Sequence, residues 1–175
     1  MKILRNKIFL IGLVCAAPLV LGTAAWFLRW DTGSAGNYGE LIEPRRLDGA
    51  PFAGLRGKWV LVAIDAAACD AWCEKKLYFL RQLRRAQGKD MERIERLWLV
   101  TDARAPRAEL LQAFEGTRVL QVADAGLLRA FGDNPVDHVY LVDPLGNLMM
   151  RYPRDPDSSR MLKDLQRLMR VSRFG

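Results

Sequence analysis

The pattern of apolar and polar residues over the last two thirds of the chain predicts alternating strands and helices. Short apolar runs rich in β-branched residues are typical of buried strands, whereas apolar residues three or four apart mark one face of a helix. Runs of the first kind predict strands at 58–65, 96–102 and 118–124 and a hairpin at 137–153. The helical spacing predicts helices within 69–88, 106–116 and 158–171, and a short one that ends at Phe131.

This order of elements predicts one mixed α/β sheet with helices covering both faces. Residues 55–175 have the usual length of a single domain and are long enough to bury a full core. The segment 31–54 is rich in glycine and proline, and we expect it to be a linker followed by a short extended lead-in.

A long apolar run precedes that linker. Ile8–Leu28 contains no charged residue, and about 20 apolar residues are enough to span a bilayer as a helix. Basic residues lie before the run, which places the N-terminus in the cytoplasm by the positive-inside rule. A cleaved signal peptide is the alternative, but its apolar region is usually shorter. We therefore expect residues 1–30 to be a single-pass anchor in a bacterial inner membrane, with the following domain in the periplasm.

The net charge of +7 changes this picture little. Basic chains often bind nucleic acid, but residues 82–97 alternate basic and acidic side chains, which is typical of a solvated helix face. We therefore expect no nucleic-acid partner. A basic surface beside a membrane favours anionic headgroups or an acidic protein partner instead.

Cys69 and Cys73 are the only cysteines after the apolar run, which itself contains Cys15. They follow the first predicted strand, where sites gather in open α/β sheets. With both cysteines in the first turn of a helix, their Cα atoms would be about 6 Å apart, within disulfide range. Two buried thiols, a structural disulfide, a redox pair and soft ligands for Cu(I) all remain open.

Charged residues flank both cysteines. A helix N-terminus favours thiolate, whereas Asp70 and Glu74 oppose it by repulsion and Lys75 and Lys76 offset part of that repulsion. The net effect on thiol reactivity is left open by these opposing charges.

Two stretches carry a family resemblance. The chain reads "GKWVLVAIDAAACDAWC" at 57–73 and "DHVYLVDPLGNLMMRY" at 137–152. Together with the apolar run, these resemble the SCO/SenC branch of the thioredoxin-like superfamily, over most of residues 55–170. Members are membrane-anchored proteins that deliver copper to cytochrome c oxidase or reduce its thiols. The family's cysteine spacing is matched by Cys69 and Cys73, but its prolines after the cysteines are replaced by Asp70 and Glu74.

The resemblance also implies a third copper ligand. The family has a histidine just before the strand that leads into "YLVDP", and His138 is the only histidine of this chain. It lies about three residues later than the family's position, which Pro135 occupies. His138 is thus a candidate ligand or an ordinary sheet histidine, and Pro135 is a candidate for the loop proline that faces the cysteines in thioredoxin-like folds.

The resemblance implies a thioredoxin-like protein that assists cytochrome c oxidase assembly by thiol–disulfide exchange. Cys69 would be the nucleophile and Cys73 would resolve the mixed disulfide. Cu(I) delivery through Cys69, Cys73 and His138, and classification as a thiol–disulfide oxidoreductase, stay open. The implied partner is a respiratory oxidase subunit or another assembly factor. The alternative is a noncatalytic membrane-tethered scaffold that uses the same fold for protein contacts.

Overall fold

The computed structural model describes residues 7, 14–24, 36–47, 49–122 and 125–172. The chain divides into two compact units, Met1–Gly36 and Asn37–Gly175, and each is described by itself.

In the first unit, residues 14–24 are helical. Apolar side chains such as Leu19 and Leu21 are exposed on this helix, and the Thr23 hydroxyl donates to the Leu19 carbonyl at 2.9 Å. Within the described ranges, no helix combines the length and the apolar character needed to cross a membrane. Most of the predicted anchor, residues 1–30, lies outside the described residues, so the anchor stays a prediction.

The second unit alternates strands and helices along most of its length. Its strands are β1 (Glu40–Arg46), β2 (Trp59–Asp65), β3 (Ile94–Val100), β4 (Arg118–Gln121), β5 (Val139–Val142) and β6 (Asn147–Tyr152). Its α-helices are α1 (Ala50–Ala53), α2 (Ala71–Arg85), α3 (Ala108–Ala113), α4 (Ala125–Ala130) and α5 (Ser158–Val171). Short 3-10 helices cover Gly88–Arg93 and Pro135–Asp137.

The strands form one six-stranded sheet in the order β1-β6-β5-β2-β3-β4. β2, β3 and β4 are parallel to one another, and the neighbouring pairs β2–β5, β5–β6 and β6–β1 are each antiparallel. The β5–β6 hairpin turns where the Asp143 carboxylate accepts the backbone N–H groups of Leu145 and Asn147, at 2.9 and 2.8 Å. The predicted mixed α/β sheet is confirmed, including its hairpin.

The first strand of the sheet lies in the segment predicted as linker and lead-in. In the described part of 31–54, β1 pairs with β6 at the sheet edge, and α1 follows it. All but one of the β1 residues are exposed, and Pro44 lies inside the strand, which an edge position tolerates because one side needs no ladder hydrogen bond. The strand therefore lacks the apolar pattern that identifies a buried one.

The sheet separates two apolar layers. One layer contains residues of α2, α3 and α5, such as Leu77, Leu110 and Leu165. The other layer contains Phe52 of α1, and the partly buried Leu128 of α4 packs against this layer. Both faces of the sheet are thus covered, as predicted, and the cysteines belong to the layer of α2.

A buried carboxylate fastens the start of this unit to α5. Asp164 is 3% exposed and accepts the backbone N–H groups of Tyr38 and Gly39, each at 2.8 Å. Gly39 also lies close against β6, since a Cβ built there would lie 2.7 Å from Met150 Cγ. Asp164 therefore sets where the chain enters β1.

Replacing this carboxylate tests its contribution to stability. Asp164→Leu leaves two backbone donors without an acceptor, so we expect the free energy of unfolding to fall by about 2–4 kcal/mol. Urea denaturation followed by circular dichroism measures the change. Lys163→Ala, at an exposed position of the same helix, is the control and should change it by less than about 0.5 kcal/mol. An equal effect of the two variants would contradict the role assigned to Asp164.

Candidate functional site

The two cysteines lie at the carboxyl end of the central strand β2. They form a disulfide with their Cα atoms 5.1 Å apart. Both are buried: Cys69 is 3% exposed and Cys73 is 0% exposed. The pair occupies the strand-to-helix junction that the sequence predicted, where parallel α/β sheets place their sites.

The helix begins later than predicted, between the two cysteines. Asp70 is its N-cap residue, and α2 starts at Ala71. Cys69 precedes the cap with a φ of 46°, in the left-handed region, so it is not part of the first helical turn. The prediction that both cysteines share that turn is wrong because the Asp70 carboxylate accepts the Cys73 N–H at 2.9 Å and fixes the start of the helix.

Backbone contacts hold the connection between β2 and α2. The Cys69 N–H donates to the Ala66 carbonyl at 3.1 Å. The Ala67 N–H donates to the Asp102 carboxylate, beyond the end of β3, at 3.0 Å. This hydrogen bond, more than the nearby Arg104, lowers the pKa of Asp102 below its ordinary value. The Cys69 turn is thereby fixed from two sides.

A buried lysine lies beneath this junction. The Lys76 side chain is 0% exposed, and its Nζ lies 2.8 Å from Asp65 Oδ2 at the end of β2. The same Nζ donates to the Ile64 carbonyl at 2.7 Å and to the Val136 carbonyl. Burial lowers the pKa of Lys76, and the Asp65 carboxylate opposes that shift. Asp65 thus compensates part of the cost of burying the ammonium group.

The loop before β5 lies against the start of α2. The Val136 carbonyl accepts from Trp72 Nε1 at 3.3 Å as well as from Lys76. Pro135 begins the short 3-10 helix in this loop. The loop containing Pro135 is therefore connected directly to the helix that carries Cys73.

His138 follows that loop. Its Nδ1 donates to the Tyr152 carbonyl at 2.8 Å, which leaves Nε2 as its acceptor nitrogen. Among the described residues, no group of three or more His, Cys, Asp or Glu side chains is placed to hold a metal ion. The structure thus brings Cys69 and Cys73 together but does not add His138 to them as a ligand group. Reduction of the disulfide would leave two soft thiolate ligands, a set that suits Cu(I).

The sequence contained a signal for Asp65 and Lys76 that the prediction did not use. Lys76 lies within the apolar stripe of α2, between Cys73 and Leu80, and Asp65 ends an otherwise apolar strand. A charged residue at a core position requires a partner. The two charges could therefore have been predicted to pair.

Known proteins share this fold. The model of the family described as "Transmembrane-like, thioredoxin-like, C-terminal domain" matches residues 59–172. Yeast Sco1 is 20% identical with a TM-score of 0.58, over 75% of this chain and 96% of that one. Arabidopsis thaliana ScoI with copper bound is 17% identical with a TM-score of 0.57, over 77% and 99%.

A thiol-disulfide oxidoreductase also resembles the chain. Its thioredoxin domain, from Bacteroides vulgatus, is 22% identical with a TM-score of 0.51, over 77% of this chain and 96% of that one. No curated protein matches the chain. At these identities the structural matches show a common fold, and they confirm the resemblance to SCO proteins at that level. Because the family match covers most of the second unit, the chain belongs to the transmembrane-like, thioredoxin-like C-terminal domain family.

Proposed function

We propose that the chain is an SCO-type protein that assists cytochrome c oxidase assembly by thiol–disulfide exchange. One observation carries the proposal: Cys69 and Cys73 form a disulfide at the carboxyl end of β2 in a thioredoxin-like fold. The similarity to a solved thiol-disulfide oxidoreductase and to Sco1 supports it.

The exchange proceeds in two steps. In the reduced chain, the Cys69 thiolate attacks a disulfide of the partner, forms a mixed disulfide and releases one partner thiolate. The Cys73 thiolate then attacks the Cys69 sulfur and releases the second partner thiolate. The partner gains two electrons, and the chain ends as the disulfide. Cys69 is assigned the first attack because it precedes the helix cap, whereas Cys73 lies in the first turn of α2 and is completely buried.

Copper is the proposed cargo of the reduced form. The two thiolates would hold Cu(I), which accepts two soft ligands. Solved Sco proteins with copper bound support this part of the proposal. His138 contributes little to it, because among the described residues its ring is not part of a group of three or more potential ligands.

The proposed location follows from residues 1–30. They would anchor the chain in a bacterial inner membrane and leave the thioredoxin-like domain in the periplasm, beside a respiratory oxidase subunit or another assembly factor. The second candidate is a noncatalytic tethered scaffold. Burial of both sulfurs favours that candidate, since an external thiol reaches them only after a local opening.

Reversible oxidation of the pair is the first test. In a Cys15→Ser background, thiol trapping across a glutathione series should show one two-electron transition of Cys69 and Cys73. The matched control, Cys69→Ser, keeps one of the two thiols and should show no intramolecular disulfide. Two free thiols under fully oxidised glutathione would contradict the redox proposal.

The same cysteines separate exchange from scaffolding in cells. If exchange is the function, Cys69→Ser/Cys73→Ser should lower the level of assembled oxidase as far as deletion of the whole gene does. Normal assembly with this double variant, together with a defect on deletion, would favour the scaffold.

Cu(I) titration of the reduced chain tests the copper proposal. We expect Cys69→Ser or Cys73→Ser to abolish binding and His138→Ala to weaken it by less than about tenfold, or about 1.4 kcal/mol. Competition with a Cu(I) chelator measures both. Cu(II) should bind poorly, without a strong sulfur-to-copper absorption band. A tight, coloured Cu(II) complex that His138→Ala removes would instead identify His138 as a ligand.

The buried lysine predicts a pH dependence of stability. In the folded chain the pKa of Lys76 is below its ordinary value of 10.5, to which it returns on unfolding. Between these values the unfolded chain binds more protons, so this residue makes the free energy of unfolding rise with pH toward about 10.5. Lys76→Met should flatten that rise.

Asp65→Asn should steepen the rise, because removal of the carboxylate lowers the pKa of Lys76 further. Urea denaturation between pH 7 and about pH 10 measures the slopes. Lys75→Met, at an exposed position of the same helix, is the control. Equal slopes for the wild type and Lys76→Met would contradict the assignment.

A further inference from the structure

Four arginine side chains surround a cavity near the C-terminal end of α2. Three belong to the last turns of α2 and one to β3: Arg81, Arg84, Arg85 and Arg96. Residues at the end of α3 and in the turn after it also line the cavity, whose volume is about 440 Å³: Gln112, Ala113, Glu115 and Gly116. At 1.5 Å per residue, about 16 Å of helix separates Arg84 from Cys73. The cavity is therefore distinct from the disulfide site.

The guanidinium group of Arg96 has buried donors without acceptors. Arg96 is 5% exposed, and its Nη2 donates to the Glu115 carbonyl at 2.6 Å. Its Nε and Nη1 are buried and have no hydrogen-bond partner among the described residues, and the same is true of Arg81 Nε. Buried charged donors are normally paired, so these three N–H-bearing atoms indicate a missing acceptor.

Backbone carbonyl groups accept hydrogen bonds from Arg81 and Arg84 but do not neutralise their positive charge. Arg81 Nη1 donates to the Ala113 carbonyl at 2.7 Å, and Arg84 Nε donates to the Ile94 carbonyl at 2.6 Å. In the part of the chain that the structure describes, Arg84 alone of the four forms an ion pair, at 3.5 Å from the exposed Glu92. Backbone contacts thus position Arg81 and Arg84, and the one carboxylate paired with the cluster among the described residues is an exposed one.

The loop beside Arg96 is shaped to the guanidinium group. A Cβ built at Gly116 would lie 2.8 Å from Arg96 Nη2, and Gly116 has a φ of 80°. Burial and the neighbouring Arg84, Arg85 and Arg81 lower the pKa of Arg96, although an arginine stays protonated at neutral pH. A bound anion would relieve the mutual repulsion of these cations.

We propose that this arginine cluster binds a phosphate group. A tetrahedral phosphate group offers several acceptor oxygens and at least one negative charge, and guanidinium groups bind phosphate through paired N–H···O bonds. Free phosphate and the headgroup of an anionic phospholipid share this chemistry. The proposal does not depend on thiol exchange, so its failure would leave the proposed function unaffected.

Calorimetric titration of the full chain in non-ionic detergent with inorganic phosphate tests free phosphate as the source. We expect saturable binding of one equivalent, weakened at least tenfold by Arg96→Gln. Arg85→Gln should also weaken binding. Because this variant changes an exposed side chain, it tests the cluster even if the buried Arg96→Gln variant fails to fold. Arg154→Gln, exposed and outside the cluster, should change affinity by less than twofold.

Dihexanoyl phosphatidylglycerol, compared with dihexanoyl phosphatidylcholine, tests the headgroup. If phosphatidylglycerol binds more strongly than phosphatidylcholine, and does so through Arg96 and Arg85, the result supports the proposal with a lipid headgroup as the ligand. If only inorganic phosphate binds, the result supports the proposal with free phosphate as the ligand. The proposal is overturned if neither probe binds in an arginine-dependent way. It is also overturned if titration with sodium chloride at equal ionic strength gives the same arginine-dependent binding signal as phosphate, since that indicates a general ionic effect only.

Discussion

The ammonium group of Lys76 connects three parts of the fold at one buried point. It lies between the Asp65 carboxylate, the Ile64 carbonyl and the Val136 carbonyl, which belong to β2 and to the loop before β5. Burying this charge costs several kcal/mol, and the three oxygens offset the cost only while they stay in place. The contact therefore contributes less to the free energy of unfolding than to the alignment of α2 with β2 and with the loop before β5. A shift of any one of three elements would remove a partner from the buried ammonium group, so their relative arrangement is fixed: α2, the end of β2 and the loop containing Pro135.

The position of the disulfide follows from that alignment together with the cap at Asp70. Lys76 fixes the rotation of α2 over the sheet, and the Asp70 carboxylate fixes where the helix begins. Cys73 is thereby placed inside the first turn, and Cys69 is left in a turn with positive φ. A non-glycine residue in that conformation is held by its surroundings at a cost of about 1–3 kcal/mol. Here the Ala66 carbonyl and the Asp102 contact at Ala67 supply those surroundings.

Most of the fold was predictable because its buried elements carry strong apolar patterns. β2 and β3 are almost fully buried, and the amphipathic stripe of α5 is plain in the sequence. β1 was not predicted as a strand, because an edge strand that faces solvent needs no apolar alternation. At the site, the spacing of Cys69 and Cys73 allowed a disulfide without selecting it from the alternatives, whereas the start of the helix was predicted wrongly. Asp70 was treated only as a repelling charge, although aspartate is also a strong N-cap residue. No local pattern specifies where His138 lies relative to the sulfurs, since that depends on the course of a separate loop.

In the charged segment after the site, acidic and basic residues are mixed along the sequence but are separated in space. Residues 82–97 alternate in sign, and pairs such as Arg93 with Asp90 form as that pattern indicates. The acids, however, pair with other arginines than Arg96: the exposed Glu92 lies 3.5 Å from Arg84, and the partly buried Glu95 lies 3.8 Å from Arg118 on the neighbouring strand. Arg96 points instead into the layer between sheet and helix, where the last turns of α2 bring further arginines. Charges that balance along the sequence are therefore separated by the alternation of a strand, which directs successive side chains to opposite faces. The two ends of α2 consequently differ in chemistry: a disulfide and a capped helix start lie at one end, and a cluster of guanidinium groups lies at the other.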